Sequence, residues 1–214
     1  IHNLVTLIMR ILKATYIFIL VLLCFSVNAE EYSFGSIGYT KHIAADPHDS
    51  QGNTYYNDPE ENGLVIGYGF GSKENGFGSD VELNYYPEVS NKISSDGQKA
   101  KVSTLTLISN FYFMPDVGGS SLMIGGGLGG ALTTVDTSYS SGGVTFNGEE
   151  RTFTPAFQAL IGLDLGEMQI DYKISNFGEV KGGSGPASNS GTYDADQVDN
   201  KYKSIDIRLQ FEYI

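Results

Sequence analysis

The closing segment of the chain sets the tightest limit on its fold: Ile205, Ile207, Leu209, Phe211 and Tyr213 alternate without a break with Ser204, Asp206, Arg208, Gln210 and Glu212. A period of two puts these two sets on opposite faces of a strand, whereas a helical repeat near 3.6 would scatter both around the axis. The same period recurs three times with comparable clarity. Phe77, Val81, Leu83 and Tyr85 oppose Asp80, Glu82, Asn84 and Tyr86; Leu105, Leu107, Phe111 and Phe113 oppose Thr104, Thr106, Asn110 and Tyr112; Met168, Ile170, Tyr172 and Ile174 oppose Gln169, Asp171, Lys173 and Ser175.

Three further segments alternate large apolar with small residues: Leu64 to Gly71, Leu122 to Leu132, and Phe157 to Leu165. An eighth, Tyr32 to Thr40, carries Tyr32 and Phe34 on one parity but Ile37 and Tyr39 on the other, so a bulge near Gly35 is expected if it is a strand. The 27 glycines among 214 residues disfavour long helices, since each interior glycine costs about 1 kcal/mol. The reading is all-β, with eight strands in one domain over residues 30–214.

Residues 1–29 read as an export signal. From a plausible start at Met9, Arg10 and Lys13 precede an uncharged apolar stretch from Ala14 to Ser26, and Val27-Asn28-Ala29 offers a cleavage site after Ala29. The apolar run falls short of the ~20 residues that cross a bilayer core comfortably. Leu23 before Cys24 is not the small residue of a lipoprotein cleavage site. Cys24 is the single cysteine, so cleavage leaves a chain without disulfides or thiol chemistry. The formal charge of −12 excludes the counterion release that drives binding to nucleic-acid backbones.

Alternation does not by itself say which face meets what. A soluble ligand-binding barrel would bury the apolar set; a membrane barrel would turn it outward. The connections favour the membrane. Strands two and three are joined by about Ser72 to Gly76, four and five by Met114 to Ser120, and six and seven by Gly166 and Glu167. The others are long and polar: roughly Ile43 to Gly63, Pro87 to Lys101, Thr133 to Thr152 and Gly178 to Lys201. Short turns at one end and long loops at the other characterise a barrel inserted from the periplasm. Tyr32, Phe34, Phe70, Phe77, Phe111, Phe113, Phe211 and Tyr213 then gather at the turn end and Tyr39, Tyr85, Phe153 and Phe177 at the loop end, as two interfacial girdles. The glycines of strands two and five face a lumen only wide enough for side chains.

With NFYF at 110–113, IGGGLGGA at 124–131, FQALIGLDL at 157–165 and the closing alternating strand, the chain resembles the eight-stranded outer-membrane barrels of Gram-negative bacteria, of the OmpA-like, OmpX-like and opacity/surface-antigen type. The resemblance implies an antiparallel up-and-down transmembrane barrel in the outer membrane. It also implies assembly by the barrel-assembly machinery, with Tyr213 penultimate and Ile214 last.

The lumen face gathers Asp80, Glu82, Asp164, Asp171, Asp206 and Glu212 with Lys173 and Arg208, an excess of acid over base that reads as a hydrated ion-pair network. The sharper alternative is a narrow, cation-preferring path. Gly125, Gly127 and Gly130 match GxGxxG, but no helix follows to hold a pyrophosphate, so no cofactor is expected. Asp46, His48, Asp49, Asp58, Glu60 and Glu61 in the first loop and Asp194, Asp196 and Asp199 in the fourth match no EF-hand. They read as solvated charge, with weak divalent-ion bridging to lipopolysaccharide as the alternative. His42 and His48, near Ser50, are the only imidazole bases after the signal, and a lipid A-modifying enzyme would need them. The expected function is noncatalytic: a lipid-embedded barrel displaying four polar loops, as a surface antigen, adhesin or envelope-integrity protein whose loops could meet a host or extracellular ligand.

Overall fold

The computed structural model describes residues 30–44, 60–92, 99–141, 144–181, 185–187, 191–193 and 197–212. Residues 1–29, read above as an export signal, and most of the acidic residues of the first and fourth loops lie outside these. Ten strands follow in chain order: β1 (Glu30–Ala44), β2 (Glu60–Glu74), β3 (Phe77–Lys92), β4 (Lys99–Phe113), β5 (Ser121–Ser141), β6 (Val144–Asp164), β7 (Met168–Lys181), β8 (Gly185–Ala187), β9 (Gly191–Tyr193) and β10 (Gln197–Glu212). Strands β1 to β7 and β10 close an antiparallel barrel in which β1 pairs with both β2 and β10, while β8 and β9 form a separate hairpin.

Closure is possible because the alternating residues sort cleanly. In β10, Ile205 and Ile207 are 56% and 43% exposed, whereas Asp206 and Arg208 are 1% and 0%. The outer wall is therefore the apolar half of every strand, with Leu64, Leu83, Leu107, Ile124, Ile161 and Ile174 all turned outward. Two aromatic rims bound this belt: Phe70, Phe77, Phe111, Phe113 and Phe211 at the turn end, and Tyr39, Tyr85 and Phe153 at the loop end. In water so large an apolar surface would drive association. In hydrocarbon it is the solvated face, and the closed ladder leaves no strand edge within it.

Three of the aromatic assignments are corrected. Tyr32, Phe34 and Phe177 are buried in the lumen, not set in the girdles. Nor does β1 bulge at Gly35, which keeps continuous register with Tyr68 on one side and Leu209 on the other. The strand changes the kind of residue on each face, not its path. Glycines on β2 make the room: a Cβ on Gly69 would collide with the Phe34 ring, and one on Gly71 with Tyr32. Register shifts occur elsewhere, between Tyr86 and Val89 at Pro87, and between Asp199 and Lys201 in β10.

The strands also extend further than the sequence boundaries suggested. Asn75 and Gly76, both at positive φ, close β2 to β3 as a two-residue hairpin whose twist matches the strands. At the other end β3 runs to Lys92 and β5 and β6 continue to Ser141 and Val144, into stretches expected to be loop. Thr133, Thr134, Val135, Thr137 and Thr152 supply the β-branched residues that favour extension.

Two seams interrupt the outer end. The β2–β3 ladder stops at Ile66 and Tyr85, just below Pro87, and the β6–β7 ladder stops at Phe157 and Asn176, just past Pro155. Proline has no N–H to give a ladder. At the second seam the Thr154 hydroxyl donates to the Phe177 carbonyl, and Gly178, at positive φ, lies close against the Thr154 side chain.

A charge placed at mid-height on the wall tests the orientation. Ile207→Arg is expected to lower the unfolding free energy by ~2–4 kcal/mol in urea titrations of vesicle-reconstituted protein.

Candidate functional site

The lumen is filled in layers. At the turn end Lys73 from β2 pairs with Asp164 at 2.5 Å and donates to Gln210, with its ammonium over the Tyr32 ring at 4.8 Å. An open depression of about 630 Å³ lies outside this pair, between the short turns. Tyr112, Met114, Met123 and Leu160 form an apolar cluster on the adjoining strands.

Deeper in, two bases organise four acids. The Arg208 guanidinium reaches Asp80 at 2.7 Å, Glu82 at 3.0 Å and Asp171 at 2.6 Å. Lys173 reaches Glu82 at 2.6 Å and Asp206 at 2.8 Å, so Glu82 bridges the two cations. The Tyr112 hydroxyl donates to Asp80, and Asn110 donates to Asp80 at 2.7 Å and to Glu82 at 3.1 Å. Gln158 in turn donates to Asn110 at 2.6 Å. Phe34 closes the turn side, its ring centroid 4.7 Å from the Arg208 guanidinium carbon.

Why these long polar side chains fit follows from the residues across from them. In register, Gly38 faces Asp206, Gly67 faces Asn84, Gly127 faces Asn110 and Gly162 faces Asp171. A Cβ on any of these four glycines would overlap the facing side-chain oxygen. The literal GxGxxG of β5 thus has one of its glycines, Gly127, clearing space for an asparagine.

Toward the loop end an aromatic layer seals the charges. Tyr86, Phe177 and Tyr202 meet pairwise with centroids 4.6 to 5.3 Å apart. Val65, Ile108, Ala131 and Ala156 pack with them, and the His42 ring lies 4.6 Å from Tyr202, so all eight barrel strands contribute. His42 Nε2 also hydrogen-bonds Asn200 at 3.0 Å, and the Asn200 amide donates to Thr104 and Thr133. Val89, Val102, Val135 and Val180 lie beyond as the outermost buried cluster.

Of the eight lumen residues singled out in sequence, Asp80, Glu82, Asp171, Lys173, Asp206 and Arg208 meet in this one network. Asp164 stands apart with Lys73 and Gln169, and Glu212 lies opposite Tyr32 in the β1–β10 register, its side chain outside the described set. The reading missed Lys73, although it continues the inward parity of Val65, Gly67, Gly69 and Gly71. It also missed the rings of Tyr32 and Phe34. Among the described residues no group of three or more acids, histidines or cysteines is arranged to hold a metal. His42 packs against a ring and an amide, while His48 and Ser50 lie outside the described residues.

No family model matches the sequence, and no curated protein does. Solved structures do. Ail, the attachment invasion locus protein of Yersinia pestis, aligns with a TM-score of 0.54 at 15% identity over 85% of this chain and 99% of its own. The outer membrane protein AlkL, solved in lipid bilayers, aligns at 0.52 and 15% identity over 88% of this chain and 93% of its own. At these identities the likeness is one of fold. With its apolar outer belt and sealed polar interior, the closed barrel has the fold of the eight-stranded outer-membrane β-barrels.

Two substitutions probe the interior. Arg208→Met strands Asp80, Glu82 and Asp171 without their shared cation and is expected to destabilise the barrel by ~3–5 kcal/mol in vesicle unfolding measurements. Gly38→Val, which drives a side chain into Asp206, is expected to cost roughly 1–3 kcal/mol by the same measurement.

Proposed function

We propose that this barrel is a noncatalytic display protein, whose work is done by the polar segments it holds outside the membrane. The observation that carries the reading is the solid interior: a charged network closed off by Phe34 on one side and the Tyr86–Phe177–Tyr202 layer on the other. A lumen so filled gives an ion or solute nothing to follow, and the fixed barrel becomes a rigid mount. The β5–β6 hairpin, which continues some nine residues past the girdle level of Leu132, is the largest described element of that display. Roles as a surface antigen, an adhesin or an envelope-integrity protein all use this geometry. Similarity to Ail, an attachment and invasion protein by name, points the same way. Folding through the barrel-assembly machinery and residence among lipopolysaccharide belong to the same proposal.

The test is electrical. Purified protein in planar bilayers is expected to give no stable single-channel steps, and large, long-lived openings of the native chain would overturn the reading in favour of a channel.

A further inference from the structure

Backbone pairing runs from each strand to the next in the chain from β1 through β7, and β10 joins β7 after the short β8–β9 hairpin. Only the β1–β10 ladder brings the two ends of the barrel together. Closing a chain loop costs more entropy the longer the loop, so the local ladders form ahead of this one. The last gap to shut is therefore the seam between β1 and β10. In hydrocarbon the unpaired N–H and C=O groups along both edges favour pairing. They are alike at every residue, however, and do not by themselves choose a register.

One side chain of β10 reaches across that gap. The fully buried Arg208 guanidinium lies 4.7 Å from the Phe34 ring of β1, 2.7 Å from Asp80 and 3.0 Å from Glu82 of β3, 3.1 Å from the Tyr112 hydroxyl of β4 and 2.6 Å from Asp171 of β7. Four strands besides its own meet on it. Asp171 is a local partner, on the strand beside β10, whereas Asp80 and Glu82 stand 128 and 126 residues away in sequence, on the far side of the seam. Before β10 arrives, Asp80 has the neutral donors Asn110 and Tyr112 of the adjoining β4. Arg208 meets both β3 acids only when β10 has come against β1 at the native height, since its own register partner there is Ser36. We propose that Arg208 is the closure latch of the barrel: its capture by Asp80 and Glu82 across the lumen draws the last strand onto the first and sets the register in which the seam shuts. The arginine thus has a part in assembly that is separate from its part in holding the finished network.

The experiment follows closure in the whole chain, carrying Cys24→Ser, as it is diluted from urea into phospholipid vesicles. The pair Tyr39→Cys/Ile205→Cys, directly opposed across the seam, reports closure through cross-linking by a short bis-maleimide. The pair Tyr85→Cys/Leu105→Cys, directly opposed between β3 and β4, reports local assembly. Arg208→Met is expected to slow the seam cross-link roughly tenfold while the β3–β4 cross-link stays within about twofold of native. Asp80→Asn/Glu82→Gln, on β3 and remote from the seam, is expected to slow the seam cross-link to a similar degree, and the combined variant to be no slower than either alone. A seam that closes at the native rate without Arg208 would overturn the latch. Equal slowing of both cross-links would also overturn it, by placing the arginine in insertion and not in closure. Multiplicative slowing in the combined variant would do the same, because arginine and acids would then act apart.

Discussion

Hydrocarbon offers no partner to a peptide N–H or C=O, and every other feature of this barrel answers to that fact. Each strand must be paired on both sides through the belt, which forces closure, and closure with eight strands fixes a lumen too narrow for anything but side chains. The polar half of each alternating segment then has one place to go. Charges that would be solvated on a soluble sheet are pressed together inside, and the sequence must supply both their counter-ions and their space.

The counter-ions are Arg208 and Lys173, with Glu82 between them; the space comes from glycines on neighbouring strands. A buried ion pair is a poor source of net stability, because desolvation consumes most of the attraction. Its value here lies in specification. Slipping β10 by one residue against β1 would take Asp206 away from Gly38 and send Arg208 into lipid, so register errors become expensive at several positions at once. Phe34 and Tyr32 add to the same effect, since their rings require Gly69 and Gly71 opposite them.

Strand number, orientation and the core of the charged network were all readable from parity, because a period of two survives burial in lipid as well as it does in water. Aromatic residues were harder. A phenylalanine is equally at home in a girdle and in a packed lumen, and Phe34 and Phe177 were misplaced because local spacing was weighed by residue type and not carried through from Ile37 or Lys173. Carrying parity past the apparent turn would also have found Lys73. The outer strand ends were misjudged for a different reason: past the girdle the outward face turns polar, as at Thr134, Asp136 and Arg151, and the amphipathic signal fades although the backbone stays extended.

The seams at Pro87 and Pro155 interrupt the backbone ladder above the belt and leave two ribbons, β3 to β6 and β7–β10–β1–β2, that meet there through side chains, Val180 with Val89, Val102 and Val135, and Asn200 with Thr104 and Thr133. Within each ribbon the strands are tied by backbone hydrogen bonds, whereas across the seams they are tied by packed valines and an amide reaching two hydroxyls. Side-chain contacts repack more readily than a backbone ladder, so an insertion or substitution in one ribbon can be absorbed at the seam with the register of the other left in place.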